Sequence, residues 1–246
     1  MRVALFEPSV RLYVSIIALC VVVGAAGVPA YASVPVDTTS SSAPTHWDAR
    51  ATAVLYDYST PVLPLLHGLH QTALPVFAGG PLLAGGRAMY LQSQPAFAEA
   101  YRLGVSMTGA YALTQSLKLL IQRPRPYASG LVARRDAATP VTPDAQTISD
   151  RAAMPSGHAT LAAALATSWS LSHPRWYVIT PATGWALGSS WSRVGLGVHY
   201  VSDVIVGLLV GGGSAVAVHL LRDTITPTLF EDTGAAAPAV HLSIPL

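Results

Sequence analysis

The 246-residue sequence is poor in charge, with Asp, Glu, Lys and Arg making up 11% of it against about 25% in soluble domains. Apolar residues make up 51%. The net charge is only +2 and the arginines form no continuous basic run, so no nucleic acid partner is expected. This composition is typical of a protein that crosses a membrane.

Lysine and cysteine are the scarcest reactive residues, each occurring once, as Lys118 and Cys20. A single cysteine excludes an internal disulfide and a thiolate metal site. The one lysine lies shortly before Arg125-Pro126 in a chain that otherwise uses arginine. An ammonium offers a point charge and a guanidinium a planar fork, and phosphate sites use both.

Both termini are predicted to lie outside the main domain. Residues 1–32 contain an uncharged run that is long enough to span the hydrocarbon core and ends in Ala30-Tyr31-Ala32, so they form either a cleaved signal peptide or a first transmembrane helix. Residues 33–57 are predicted to be a polar linker. Residues 223–246, rich in Ala and Pro, are predicted to be a disordered tail.

Residues 58–222 contain charge-free windows of helical length that alternate with charged residues. This pattern predicts an all-α, polytopic transmembrane bundle of five or six helices whose core helices are antiparallel. A soluble all-α protein with buried helices is the alternative. The first window holds four prolines and is the weakest helix candidate. The windows are residues 58–86, 103–117, 152–174, 176–192 and 204–221.

Three polar clusters lie at the ends of these windows. Successive antiparallel helices bring alternate window ends to one face, so clusters up to 85 residues apart converge there. Arginines at the other window ends mark the opposite face. The clusters are Lys118 with Arg125-Pro126, then Pro155-Ser156-Gly157-His158, then Ser192-Arg193 with His199 and Asp203.

Prolines and small residues set the local geometry of the first two clusters. Pro124 disfavours helical geometry at the residue before it, so the helix that carries Lys118 should end near Gln122. Either arginine of the Arg-Pro-Arg-Pro run could then project into the site. In the second cluster Ser156 can cap the next helix, with the N–H groups of Gly157 and His158 directed at an anion.

The third cluster has the spacing of a nucleophile and its orienting acid. His199 and Asp203 are four residues apart at the start of a helix and share a face. The carboxylate can accept a hydrogen bond from one ring nitrogen and leave the other free to attack. The remaining histidines are predicted to be packing or interface residues, and they are His67, His70, His173, His219 and His241.

Over residues 99–222 the three clusters resemble the signature of the type 2 phosphatidic acid phosphatase superfamily, which includes soluble bacterial acid phosphatases and vanadium haloperoxidases. All three motifs occur in order and with full internal spacing. The stretch Gly-Val-His-Tyr followed by Ser-Asp resembles the membrane branch of the family. The family spacing selects Arg125 over Arg123 as the phosphate ligand.

The resemblance implies a role for each position. One histidine would attack phosphorus, an acid would orient it, and a second histidine would protonate the leaving oxygen and then activate water. Cations, a serine and a glycine amide would hold the phosphoryl oxygens, so no metal or other cofactor is expected. The residues are His199 (nucleophile), Asp203 (orienting acid), His158 (acid and base), and Lys118, Arg125, Ser156, Gly157 and Arg193 (phosphate binding).

The resemblance implies hydrolysis of a lipid phosphate monoester or diphosphate, such as undecaprenyl diphosphate, phosphatidate, phosphatidylglycerol phosphate or a lipid A phosphate, in a bacterial-type inner membrane. Either fate of residues 1–32 places the polar clusters on the outer face, although their many arginines favour the cytoplasmic side. The alternatives are a secreted soluble acid phosphatase, a vanadium haloperoxidase, or a non-catalytic membrane protein that binds lipid phosphates. The particular lipid and the oligomeric state stay open.

Overall fold

The computed structural model describes residues 46–136 and 148–227, and all regular structure in these ranges is helical. This confirms the predicted all-α class. The predicted signal peptide or first helix, and the tail beyond residue 227, lie outside the described residues. The helices are α1 (Trp47–Tyr58), α2 (Leu63–Leu91), α3 (Gln94–Ile121), α4 (Gly157–Ser172), α5 (Trp176–Gly195), α6 (Val201–Leu220) and α7 (Arg222–Ile225), with 3-10 turns at Thr60–Val62 and Ile148–Arg151.

The proline-rich first window forms one helix, α2, which continues through Pro75 and Pro81. Pro64 lies in its first turn, where a backbone N–H has no partner within the helix and its loss costs little. At the end of α3 the prediction from Pro124 is confirmed, because the helix stops at Ile121 and Gln122 adopts a left-handed conformation with φ of 47°.

Helix α1 departs from the sequence prediction, because it forms within the segment expected to be a polar linker. Its buried stripe consists of Asp48, Thr52 and Tyr56, spaced four residues apart. Two of these side chains are polar and bond the start of α6, far away in sequence. A stripe of this kind has no apolar periodicity, so the sequence offered no sign of it.

Helices α4 and α6 pack at backbone contact. A Cβ at Gly211 would lie 2.0 Å from the carbonyl oxygen of Thr160, and one at Gly207 would lie 2.7 Å from that of Ser156. Only glycine permits such an approach. The start of α6 is thereby held beside the start of α4, where the Ser156 N–H donates to the Asp203 carbonyl oxygen at 2.9 Å.

The far end of the bundle has its own polar contacts. Arg87 pairs with Glu99 at 3.2 Å, and Arg102 donates to Thr226 at 3.5 Å. The three clusters predicted from the sequence lie at the other end, which we call the polar end. It contains the end of α3, the start of α4, the end of α5 and the start of α6.

Large apolar side chains face outward along the length of the bundle. Leu74, Leu83, Leu120 and Leu209 are each between 69% and 80% exposed. By length and composition, one helix within the described ranges, Val201–Leu220, is apolar enough to cross a membrane.

Candidate active site

The turn between α5 and α6 places His199 at the polar end. Gly197 has a φ of 73°, and a Cβ there would lie 2.4 Å from the carbonyl oxygen of Ala133. The N–H groups of Val198 and His199 both donate to the Arg193 carbonyl oxygen, at 3.1 and 3.2 Å. The last turn of α5 and the loop after α3 therefore fix the backbone of the histidine.

The His199 ring lies between a carboxylate and a guanidinium. Its Nδ1 is 3.6 Å from Asp203 Oδ2, and its Nε2 is 3.4 Å from Arg125 Nη1. A guanidinium can only donate, so Nε2 is the acceptor and the ring proton belongs on Nδ1, facing the carboxylate. The Nδ1 contact is longer than a hydrogen bond, as is common in catalytic sites without substrate.

Burial sets the protonation state of this histidine. His199 is 2% exposed, and burial, followed by the charges of Arg125 and Lys118, holds its pKa well below the ordinary value of 6.5. The ring is therefore neutral at pH 7. A neutral imidazole with an unprotonated Nε2 is the form that acts as a nucleophile.

Three cations surround the two histidines predicted to act in catalysis. Lys118 donates to the Ala152 carbonyl oxygen at 2.5 Å, and Arg125 donates to that of Ser149 at 2.7 Å. The charges of Lys118, Arg125 and Arg193 act on both His158 and His199. The structure thus brings together the cations that the sequence analysis assigned to a phosphate.

The start of α4 has the predicted form. Ser156 is the N-cap and is fully buried, and it accepts from the Ala159 N–H at 3.5 Å. The space beside Gly157 is open, because a Cβ there would meet nothing within 4 Å. An anion can approach this helix terminus, whose backbone N–H groups favour negative charge.

The structure separates the two arginines of the Arg-Pro-Arg-Pro run. Arg125 reaches His199, whereas Arg123 bridges Asp48 and Asp203 at 2.6 and 2.8 Å. Burial lowers the pKa of Arg123, but the hydrogen bond to Asp48 and the charges of both carboxylates outweigh it and leave the pKa raised. Arg123 is a permanent cation with carboxylate partners.

Two residues of the site were not found by sequence analysis. His70, predicted to be a packing residue, accepts a hydrogen bond at Nδ1 from Arg193 Nη1 at 2.7 Å. Its ring centroid is 5.5 Å from that of His158. Asp136 lies 3.8 Å from Arg193 Nη2. Neither residue belongs to one of the three sequence clusters, so no spacing pointed to either.

Candidate metal ligands do not cluster in the part of the chain that the structure describes. Within residues 46–136 and 148–227 no group of three or more His, Cys, Asp or Glu side chains could hold a metal ion.

Comparison with known proteins gives concordant matches. The model of the PAP2 superfamily matches residues 99–227. A lipid A 1-phosphatase from Rhizobium etli is 34% identical over 160 residues, which cover 60% of this chain and 65% of that protein. This chain therefore spans slightly less than two thirds of the curated relative.

Two solved structures match this chain. One is a transmembrane PAP2-type phosphatidylglycerolphosphate phosphatase from Bacillus subtilis, with a TM-score of 0.52, 19% identity and coverage of 87% of this chain and 96% of that one. The other is LpxE from Aquifex aeolicus, with a TM-score of 0.38, 21% identity and coverage of 64% of this chain and 94% of that one. Only the first is close enough to support the fold.

Proposed function

Because the chain belongs to the PAP2 superfamily, we propose that it hydrolyses a lipid phosphate monoester or diphosphate through a phosphohistidine at His199. The observation that carries this proposal is the setting of the His199 ring. Arg125 lies at its Nε2 and Asp203 behind its Nδ1, at 3.4 and 3.6 Å. A protein that only bound lipid phosphates would need the cations but not an oriented nucleophile.

In the first half-reaction the Nε2 lone pair of His199 attacks phosphorus. The N–P bond forms as the bond from phosphorus to the leaving oxygen breaks, and His158 donates its proton to that oxygen. Asp203 stabilises the proton that stays on Nδ1. Lys118, Arg125 and Arg193 stabilise the charge on the equatorial oxygens, as cationic clamps do in phosphoryl transfer.

In the second half-reaction a water molecule attacks the phosphohistidine. His158, now neutral, takes a proton from the water as the new P–O bond forms and the N–P bond breaks. Inorganic phosphate leaves and the His199 ring is restored. The same cations hold the phosphoryl oxygens in both half-reactions, so one phosphate pocket serves both.

An apolar cavity in the helical bundle supports a lipid substrate. It has a volume of about 400 Å³ and lies between α2, α4 and α5, with Trp169 and Trp185 in its lining. The Phe77 ring centroid lies 5.8 Å from those of both His158 and Trp185, so one aromatic side chain connects the cavity lining to His158. The outward-facing leucines support a membrane location, since large exposed apolar surfaces are rare on soluble monomers.

The first test is an assay of purified protein in detergent, with phosphate release as the readout. Lipid A and phosphatidylglycerolphosphate are the first substrates, alongside phosphatidate and undecaprenyl diphosphate. Release is expected to persist in excess EDTA, because Lys118, Arg125 and Arg193 supply the positive charge. Vanadate should inhibit, because it adopts the trigonal-bipyramidal geometry of the transition state.

Loss of activity in EDTA, restored by a divalent metal, would contradict the metal-independent mechanism. Absence of release from every lipid, with release from soluble phosphomonoesters by protein in a periplasmic fraction, would favour the secreted acid phosphatase.

We further propose that the chain crosses a bacterial inner membrane several times with the polar end facing the periplasm. A reporter fused after Arg222, at the far end of the bundle, should then behave as cytoplasmic. A reporter inserted near Ala137, between the first two clusters, should behave as exported. The reverse pattern would place the site on the cytoplasmic side.

A further inference from the structure

We propose that α1 completes the catalytic apparatus, with Asp48 acting through Arg123 to position Asp203 and the first turn of α6. The inference rests on the proposed function, because it assigns these residues to the orientation of the nucleophile. They are positioning residues, since none is placed against the phosphate. We call this set of contacts the α1 clamp.

The centre of the α1 clamp is a guanidinium shared by two carboxylates. Arg123 Nη2 donates to Asp48 Oδ2 at 2.6 Å, and Nη1 donates to Asp203 Oδ1 at 2.8 Å. Asp203 is fully buried and Asp48 is 6% exposed. Burial of a carboxylate is costly unless it is paired and hydrogen-bonded, and Arg123 offsets part of that cost for Asp203.

The second part of the clamp is a cap supplied by another helix. The first N–H groups of a helix have no partner within it. At the start of α6 the Val201 N–H donates to Thr52 Oγ1 at 3.1 Å, and the Ser202 N–H donates to Asp48 Oδ1 at 2.9 Å. Helix α1 therefore fixes the turn from which Asp203 projects.

These contacts determine which oxygen of Asp203 faces the nucleophile. Oδ1 accepts from Arg123, while Oδ2 accepts from the Tyr200 N–H at 2.8 Å and faces His199 Nδ1 at 3.6 Å. Without Arg123 the carboxylate loses one of the two hydrogen bonds that set its rotation. Small displacements of this kind reduce rates sharply, by on the order of 10²-fold for about 1 Å.

The clamp reaches beyond the part of the chain that the family model covers. That match begins at residue 99, whereas Asp48 and Thr52 precede it by more than 40 residues. The stretch between Thr52 and residue 99 contains α2 and the first residues of α3. The catalytic helix α6 thus takes its cap from a segment that the family signature does not include.

The test uses the full chain in detergent with dioleoyl phosphatidate as the probe substrate. Asp48→Asn and Arg123→Gln should each reduce kcat by about 10- to 100-fold. KM and the vanadate inhibition constant should change by less than about threefold, because the phosphate ligands are intact. Arg123→Lys should recover part of the activity, since it keeps one charged contact. Asp57→Asn, at an exposed position on the same helix, is the matched control and should behave as wild type.

A double-mutant cycle separates the clamp from a general loss of stability. The double variant Asp48→Asn/Arg123→Gln should be little slower than Arg123→Gln alone, because both substitutions remove the same ion pair between Asp48 and Arg123. If Asp48→Asn fails to fold, Thr52→Val takes its place. This variant removes only a cap bond and should also lower kcat.

Wild-type kcat in both Asp48→Asn and Thr52→Val would overturn the inference. So would a loss of vanadate affinity in Arg123→Gln as large as its loss of kcat, because Arg123 would then be a phosphate ligand. A wild-type protein that releases no phosphate from phosphatidate or the other lipids would instead refute the proposed function.

Discussion

His199→Ala is expected to reduce phosphate release by about 10⁴-fold or more, the loss typical when a nucleophile is removed. The reason is geometric, because the Nε2 of His199 is the acceptor beside Arg125 and its Nδ1 lies 3.6 Å from Asp203. The measurement is single-turnover phosphate release together with trapping of labelled enzyme. No labelled enzyme should form with any substrate, including activated aryl phosphates.

His219→Ala is the matched control, since it makes the same substitution near the far end of α6, where His219 contacts Arg222. It should retain wild-type turnover. Labelled phosphoenzyme in His199→Ala would show that another group attacks phosphorus.

His158→Ala is expected to lose activity in proportion to how much the leaving oxygen needs a proton. With an alkoxide leaving group, as in a lipid phosphate, kcat should fall by about 10²- to 10⁴-fold. With an activated phenolate, which departs with little protonation, phosphoenzyme formation should fall much less. Single-turnover rates with a lipid phosphate and with p-nitrophenyl phosphate measure the difference.

Equal losses with both leaving groups would assign His158 to phosphate binding rather than to proton transfer. His70 provides a comparison, because its ring is 5.5 Å from that of His158 but its Nδ1 is bonded to Arg193. If His70 were the acid, His70→Ala rather than His158→Ala would show the dependence on the leaving group.

The helical fold could be predicted because its signals are local. Charge-free windows predicted five long helices, and Pro124 predicted that α3 ends near Gln122, one residue from its observed end at Ile121. Helix α1 could not be predicted, since its buried Asp48 and Thr52 are stabilised by partners about 150 residues away. Such partners are visible only once the chain is folded.

Some features of the site could likewise be predicted from the sequence and others could not. The clusters around Lys118, His158 and His199 have fixed spacings, so their convergence at one end of the bundle could be predicted. The roles of the two arginines could not be read from local geometry, which left Arg123 and Arg125 equivalent until family spacing separated them. His70 was missed because a single histidine in an apolar helix carries no spacing, and only its contact with Arg193 gives it meaning.

The most direct measurement is the position of the phosphoryl group on the enzyme. Purified protein is mixed with a ³²P-labelled lipid phosphate in excess EDTA, quenched under alkaline conditions that preserve phosphohistidine, digested and mapped by mass spectrometry. We expect an acid-labile label on His199 that disappears on longer incubation as phosphate is released. A label on another residue, or turnover with no label under single-turnover conditions, would contradict this expectation.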